Sequence, residues 1–251
     1  MNTRVPFVVA VLASAAMCSI AMVQPPPSQD HASGEPDKWR DHFDVDKSKF
    51  GPTGSNPYFS LQPGAVSVFK SDDAMLTITV LDETRIVDGV TTRIIEEREE
   101  EDGSPIEISR NYFAIDPQTN DVYYFGEEVD IFKDGKISNH EGAWLSGVDG
   151  AKFGLMMPGS PKTGDRFYQE LAEKVAMDRA EIVSTGESIE APAGKFEKCV
   201  RIKETSPLEK GSSTKVYAAG VGLVRDDEFL LVKHQDPAAP ARAKPDGSRQ
   251  P

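Results

Sequence analysis

Apolar and polar residues alternate through the middle of the chain, over residues 106–144. At the start of this stretch, Ile106, Ile108 and Tyr112 share one face of an extended chain. A period of two predicts a pleated strand. Asp134-Gly135 lies between two further strand-like runs, and Asp-Gly is a strong signal for a two-residue hairpin turn. The stretch therefore predicts a meander of four strands joined by tight connections.

Strand-like runs separated by turn residues continue on both sides of this meander. Upstream, Asp88-Gly89 and Asp102-Gly103 divide such runs, and six more short runs follow between residues 179 and 234. No periodic stretch is long enough for the crossover helices that parallel strands need. The pattern predicts an all-β fold, an antiparallel meander that forms a barrel or a strongly curved sheet, with little helix.

The two ends of the chain differ from the middle in composition. Arg4 precedes an almost wholly apolar stretch that ends in the small residues around Ser19-Ile20-Ala21, which is typical of an export signal. We predict an exported protein, periplasmic or extracellular, without a stable membrane span in the mature chain. An uncleaved membrane anchor is the alternative. The predicted segments are a signal peptide (1–21), a flexible linker (22–54), a single β domain (55–235) and a disordered tail (236–251).

The predicted linker is rich in proline and polar residues but contains three aromatic ones. Trp39, Phe43 and Phe50 are spaced at offsets of four and seven residues. This spacing would place all three on one face of a short amphipathic helix over residues 37–50 that docks on the sheet. An unstructured tether with scattered aromatic residues is the alternative.

Charge and cysteine content narrow the range of partners. The net charge is −13, which excludes nucleic acid as a partner because binding a polyanion requires a basic face.

If Cys18 leaves with the signal peptide, Cys199 is the remaining thiol and no intramolecular disulfide can form. The acidic run over residues 96–101 is interpreted as a solvated strand end, with a cation site as the alternative.

The search for catalytic chemistry gives little. His31, His42, His140 and His234 are too scattered for the ligand spacing of a zinc site, and no nucleophile motif occurs. Glu141 beside His140 makes the best local pair, but adjacent residues of a strand point to opposite faces. We therefore predict no cofactor and no metal.

Several short pieces carry a family resemblance. They include the start Asn56-Pro57-Tyr58-Phe59, residues 121–127 (DVYYFGE) and residues 218–225 (AAGVGLVR). Over about residues 56–232 the chain resembles a family of uncharacterised exported bacterial β-rich proteins. The resemblance implies a β-rich fold and an exported location, and the family has no established activity.

The favoured function is an exported, non-catalytic binding or interaction module of unknown ligand, with an apolar small molecule and an envelope protein as the candidate partners. The candidate binding residues come from the meander: Tyr112, Tyr123, Tyr124, Phe132, His140 and Trp144. Plain core packing is the interpretation that we favour for the aromatic residues. Two alternatives stay open, a hydrolytic enzyme with a site around His140 and a structural envelope or surface protein.

Overall fold

The computed structural model describes residues 38–237. Within them the chain forms one 3-10 helix, no α-helix and fifteen strands, so the predicted all-β fold is confirmed. The predicted signal peptide and all but the start of the predicted tail lie outside the described residues. The 3-10 helix is Lys47–Lys49, and the strands are β1 (Val66–Lys70), β2 (Ala74–Val87), β3 (Val90–Glu101), β4 (Ser104–Ile115), β5 (Val122–Lys133), β6 (Lys136–Asn139), β7 (Trp144–Leu145), β8 (Lys152–Met157), β9 (Arg166–Tyr168), β10 (Glu170–Leu171), β11 (Arg179–Ala191), β12 (Gly194–Thr205), β13 (Ser213–Ala218), β14 (Gly222–Asp226) and β15 (Phe229–Gln235).

The strands form one antiparallel sheet that is shaped like a nearly closed barrel. Its order is β10-β8-β5-β4-β3-β2-β1-β15-β14-β13-β12-β11-β9, with β6 and β7 also paired to β5. Strands β1 to β5 and β11 to β15 are two meanders, and the pairing of β1 with β15 joins them. Most neighbours in the sheet are therefore also neighbours in sequence, as expected for tight hairpins.

One short segment connects the two ends of this sheet. Strand β9 pairs with β11 at one end, and β10, which follows after Gln169, pairs with β8 at the other. Gly154 of β8 makes the close approach possible, because a Cβ atom at this position would lie 2.2 Å from the carbonyl oxygen of Gln169. Because Gly154 has no side chain, the two ends of the sheet can approach and the barrel closes nearly completely.

Three of the Asp-Gly pairs form hairpin turns. Both residues have positive φ in Asp88-Gly89 (49° and 77°), Asp102-Gly103 (49° and 74°) and Asp134-Gly135 (53° and 71°). Positive φ at both central positions is the requirement of the type I′ turn, whose twist matches that of the flanking strands. These turns set the lengths of β2 to β6.

The segment before the barrel packs on the outside of the sheet, and the helix suggested for residues 37–50 does not form in its described part. A 3-10 turn, with Asp46 accepting a hydrogen bond from the amide of Ser48 at 3.1 Å, is its only helical element from residue 38 onward. The rest is extended, because its backbone pairs with the sheet: Arg40 bridges to β9 and Gly51 to β4. Phe50 stacks on Tyr123 with 4.9 Å between ring centroids.

Candidate functional site

A cavity of about 90 Å³, partly open to solvent, lies on the inner face of the sheet. Its walls come from six consecutive strands, β3-β2-β1-β15-β14-β13, and from Met156 of the distant strand β8, so it occupies the interior of the barrel. Most of the wall is apolar, and a few polar side chains also line it. The apolar residues include Phe59, Phe69, Ile78, Val80, Ile95 and Leu223.

Asn56 holds the segment that covers part of this cavity. Its side-chain amide nitrogen donates to the carbonyl oxygens of Asn120 at 2.8 Å and of Pro158 at 3.2 Å. Its amide oxygen accepts from the backbone N–H groups of Tyr58 at 2.8 Å and Phe59 at 3.1 Å. Because Asn56 is buried and fully engaged, it fixes Tyr58 and Phe59 against the barrel, where both line the cavity.

Three charged residues also line the cavity: Glu97, Lys215 and Asp226. The Lys215 Nζ atom lies 2.9 Å from Oε2 of Glu204 and 3.9 Å from Oδ2 of Asp226. Glu204 also accepts a hydrogen bond from the side-chain amide of Gln169 at 3.0 Å. The Oδ1 atom of Asp226 is buried and has no hydrogen-bond partner among residues 38–237.

These residues belong to a larger group of interior acids, which we call the central acidic cluster. Its members come from seven segments of the chain: Glu97, Glu99, Glu107, Glu127, Glu170, Asp178, Glu204 and Asp226. Glu97 interacts electrostatically with Glu204 and Lys215, although β3 is far from β12 and β13 in the sheet. The electrostatic interaction between residues of distant strands indicates that the cluster extends across the barrel interior.

Burial raises the pKa values of Glu97, Glu99, Glu107, Glu127, Glu170, Asp178 and Asp226, because a desolvated carboxylate loses its hydration. Desolvation, reinforced by Glu99 and Glu97, raises the pKa of Glu107 from 4.5 to about 8. Desolvation also raises the pKa of Asp226 to about 7, against the opposing effect of Lys215. Burial and the neighbouring Asp178 raise the pKa of Glu170 as well. Part of the cluster is therefore protonated near neutral pH.

The interpretation of residues 96–101 as a simple solvated strand end is wrong for Glu97 and Glu99. Glu97 shares the inner face with Ile95, and both line the cavity. Glu99 is the cross-strand partner of Glu107, so their side chains lie side by side on that face. On the outer face, Glu96 pairs with Arg110 at 3.1 Å between Oε2 and Nη2. Strand alternation thus divides the run between two environments.

The six candidate binding residues do not meet at one site, and none of them lines the cavity. Tyr112 lies under Arg85, whose guanidinium is 4.8 Å from the ring centroid. Tyr123 is covered on the outside by Phe50. Tyr124 points to the opposite face of β5 and packs edge to face with Trp144, with 5.4 Å between ring centroids. Whether any of these aromatic side chains binds a ligand stays a prediction.

The remaining two candidates lie near the β5–β6 hairpin. Phe132 is half-buried in β5. His140 follows the end of β6, and its side chain is 65% exposed, with Nδ1 2.8 Å from the carbonyl oxygen of Val129 and 3.0 Å from Oδ1 of Asp130. Glu141 lies in the following turn rather than in a strand. His140 thus binds its own hairpin and does not reach the barrel interior.

A hydrogen-bonded chain at the edge of the cavity was not predicted from the sequence. Ser67 of β1 and His234 of β15 are cross-strand partners, with 2.9 Å between Oγ and Nδ1, and both line the cavity. The other ring nitrogen of His234 lies 3.3 Å from Oδ1 of Asp236. The three residues come from the first strand and from the end of the described chain, so no local motif could reveal them.

The described residues give no sign of a metal site or a membrane-spanning helix. Within residues 38–237, no three His, Cys, Asp or Glu side chains are arranged so that they could hold a metal ion. No helix in the same part of the chain has the length and hydrophobicity that a membrane crossing requires.

Comparisons with known proteins add little. No protein-family model matches the chain, and no curated protein matches it. Among solved structures, the chain is similar to a candidate lipoprotein from Parabacteroides distasonis ATCC 8503, with 14% identity, a TM-score of 0.33, and coverage of 69% of this chain and 96% of that one. Similarity at this level carries no argument about function, and the resemblance to an exported family stays a prediction.

The raised pKa of Glu107 predicts that stability falls as pH rises. Between pH 4.5 and about 8, folded Glu107 holds a proton that the unfolded chain has lost, so the free energy of unfolding decreases with pH over this window. One pKa unit corresponds to about 1.4 kcal/mol. We expect the melting temperature to drop by several degrees across this window, and Glu107→Gln to reduce the drop.

Differential scanning calorimetry over this pH range measures the effect. The control is Glu197→Gln, which removes a carboxylate whose side chain is 71% exposed and should leave the pH dependence unchanged. An equal drop in wild type and Glu107→Gln, or a melting temperature that rises with pH in the wild type, would contradict the prediction.

Proposed function

We propose that the protein is an exported, non-catalytic binding module that takes up a small, mainly apolar ligand inside its barrel. The observation that carries this proposal is the cavity of about 90 Å³, which has mainly apolar walls and a few polar groups. Small-molecule sites typically have this composition, because apolar walls provide affinity and a few polar groups fix the orientation of the ligand. The export part rests on the N-terminal sequence pattern.

The size and position of the cavity favour a ligand over a packing defect. Protein interiors are close-packed, and their voids are few and seldom larger than a water molecule. A cavity of about 90 Å³ exceeds the space that one water needs, which is roughly 10–15 Å³ by comparable measures. Its partly open side also gives a ligand a route of entry. Asn56 keeps the covering segment in place without closing this route.

A hydrolase is the second candidate, and the chain of Ser67, His234 and Asp236 is the observation that favours it. A histidine that accepts a proton from a serine and is oriented by a carboxylate is the arrangement of many nucleophilic enzymes. Two features weigh against catalysis. The side chain of Asp236 is 83% exposed, so solvent screens its effect on the ring. The second feature is that Ser67 contacts Nδ1, which is the ring nitrogen closer to the backbone of His234.

The binding proposal predicts that filling the cavity abolishes uptake of a small apolar probe. We expect 1-hexanol to bind with a dissociation constant of about 1 mM or tighter, since each buried methylene contributes about 0.8 kcal/mol. Ile78 lines the cavity, and Ile78→Trp should weaken binding at least tenfold in ligand-observed NMR. The matched control is Ile86→Trp in the same strand, where the isoleucine is 73% exposed. Absence of binding to the wild type, or equal weakening in both variants, would refute the proposal.

The hydrolase candidate predicts a different outcome in a separate assay. If Ser67 is a nucleophile, the protein should hydrolyse p-nitrophenyl acetate, and Ser67→Ala should remove this activity while the melting temperature stays near that of the wild type. The binding proposal predicts a hydrolysis rate equal to that of buffer for both proteins. Activity that depends on Ser67 would replace the non-catalytic proposal.

A further inference from the structure

We propose that the ligand is a small amphiphilic amine, whose ammonium group binds between Asp226 and Glu97 while its apolar part fills the cavity. This inference rests on the proposed function and identifies the chemical class of the ligand for the same site. It follows from the hydrogen-bonding state of the acids, the position of Lys215 and the composition of the walls.

Asp226 provides the first argument, because it is an acceptor without a donor. The residue is 3% exposed, lines the cavity and has no partner for its Oδ1 atom. Its Oδ2 atom lies 3.9 Å from the Nζ atom of Lys215, which is too long for a hydrogen bond. Buried polar groups in native proteins are nearly always hydrogen-bonded. The Asp226 carboxylate at the cavity wall therefore lacks a full set of hydrogen-bond donors among the described residues.

Glu97 provides a second acceptor in the same cavity. It lines the wall on β3, and no described residue donates a hydrogen bond to its carboxylate. Lys215 is the cation nearest to both acids, but its Nζ atom is hydrogen-bonded to Glu204 at 2.9 Å. This partner directs the lysine toward β12. The cavity thus retains two acidic acceptors that the internal cation does not satisfy.

These acceptors discriminate among ligand classes. A ligand carboxylate or phosphate would meet two acidic groups, and the lining cation Lys215 is already paired with Glu204. An alcohol can donate only one hydrogen bond. An ammonium group has three donors and a positive charge, so it can serve Asp226 and Glu97 together. The adjacent walls, which include Ile78, Ile95 and Leu223, suit an alkyl or small aromatic body. A short primary amine matches both parts of the cavity.

The acids must be ionised to bind a cation, so the affinity should depend on pH. Burial raises the pKa of Asp226 to about 7 and also raises that of Glu97. An ammonium group stabilises the charged carboxylates and releases their protons, so its binding should tighten from pH 5.5 to 7.5, on either side of that value of about 7. The titratable groups that face this pair are Glu99, Glu107, Tyr124, Glu127, Glu204, Lys215, Tyr217 and Asp227.

The test compares three probes of equal chain length, hexylamine, 1-hexanol and hexanoate, by ligand-observed NMR at pH 7.5. We expect hexylamine to bind at least tenfold more tightly than 1-hexanol, and hexanoate to bind least. The preference for hexylamine should shrink at pH 5.5. Asp226→Asn should weaken hexylamine binding at least tenfold, to the level of 1-hexanol. Glu97→Gln gives a second variant in case Asp226→Asn does not fold.

Asp227→Asn is the matched control, because it removes the neighbouring carboxylate, which accepts a hydrogen bond from the Thr214 amide at 2.6 Å and does not line the cavity. The charge of Asp227 also acts on Asp226, but the carboxylate does not line the cavity, so hexylamine binding should change much less than in Asp226→Asn. If 1-hexanol binds as tightly as hexylamine, or if Asp227→Asn weakens hexylamine as much as Asp226→Asn does, the amine inference fails and the binding function stands. If none of the three probes binds, the proposed function itself fails.

Discussion

Carboxyl groups buried around one lysine constrain the interior of this protein. Glu97, Glu204 and Asp226 surround Lys215 in the barrel, and more acids continue the cluster toward β4 and β5. A buried carboxylate is costly unless it is paired, hydrogen-bonded or protonated. The structure uses all three solutions: Lys215 pairs with Glu204, Gln169 donates to the same carboxylate, and the pKa of Glu107 is raised so that its proton is retained near neutral pH. The Oδ1 atom of Asp226 accepts no hydrogen bond from the described residues.

Closure of the barrel brings these groups together. Strands β9 and β10 pair with opposite ends of the sheet, although only Gln169 separates them. This crossing places Gln169 against Glu204 and brings Glu170 close to Glu127. Gly154 permits the approach, since any side chain at that position would collide with the backbone of Gln169. The cavity, the acids and the closing segment therefore depend on one another, because a flatter sheet would expose the carboxyl groups to water.

The sequence predicts the sheet better than the site, for physical reasons. Asp-Gly turns and period-two alternation are local signals, and they correctly indicated an antiparallel all-β fold. The inward face of β3 was harder to assign, because Ile94 and Ile95 are adjacent and both buried, so the apolar pattern fits either face. This ambiguity concealed the inward direction of Glu97. Lys215 and its acidic partners come from separate strands, and only the closed barrel places them together.

The aromatic residues of the meander show the same limit. Tyr123 and Tyr124 alternate across β5, so the fold places them on opposite faces, one under the N-terminal segment and one inside. Residues that are close together in the sequence, such as Tyr123 and Tyr124, therefore do not belong to one site. The spacing of Trp39, Phe43 and Phe50 likewise suggested a helix, whereas backbone pairing with β9 and β4 keeps the segment extended. Both outcomes depend on long-range contacts that a local pattern does not contain.

A carbon-13 NMR titration of the aspartate and glutamate carboxyl groups tests the central claim most directly. Burial of the cluster predicts a separate group of carboxyl signals with midpoints at about pH 7 to 8, including those of Glu99, Glu107 and Asp226. Exposed carboxyl groups should titrate near their ordinary values of about 4. If every carboxyl signal titrates below about pH 5, near the values of exposed groups, the acids are solvated and the account of a buried acidic interior is wrong.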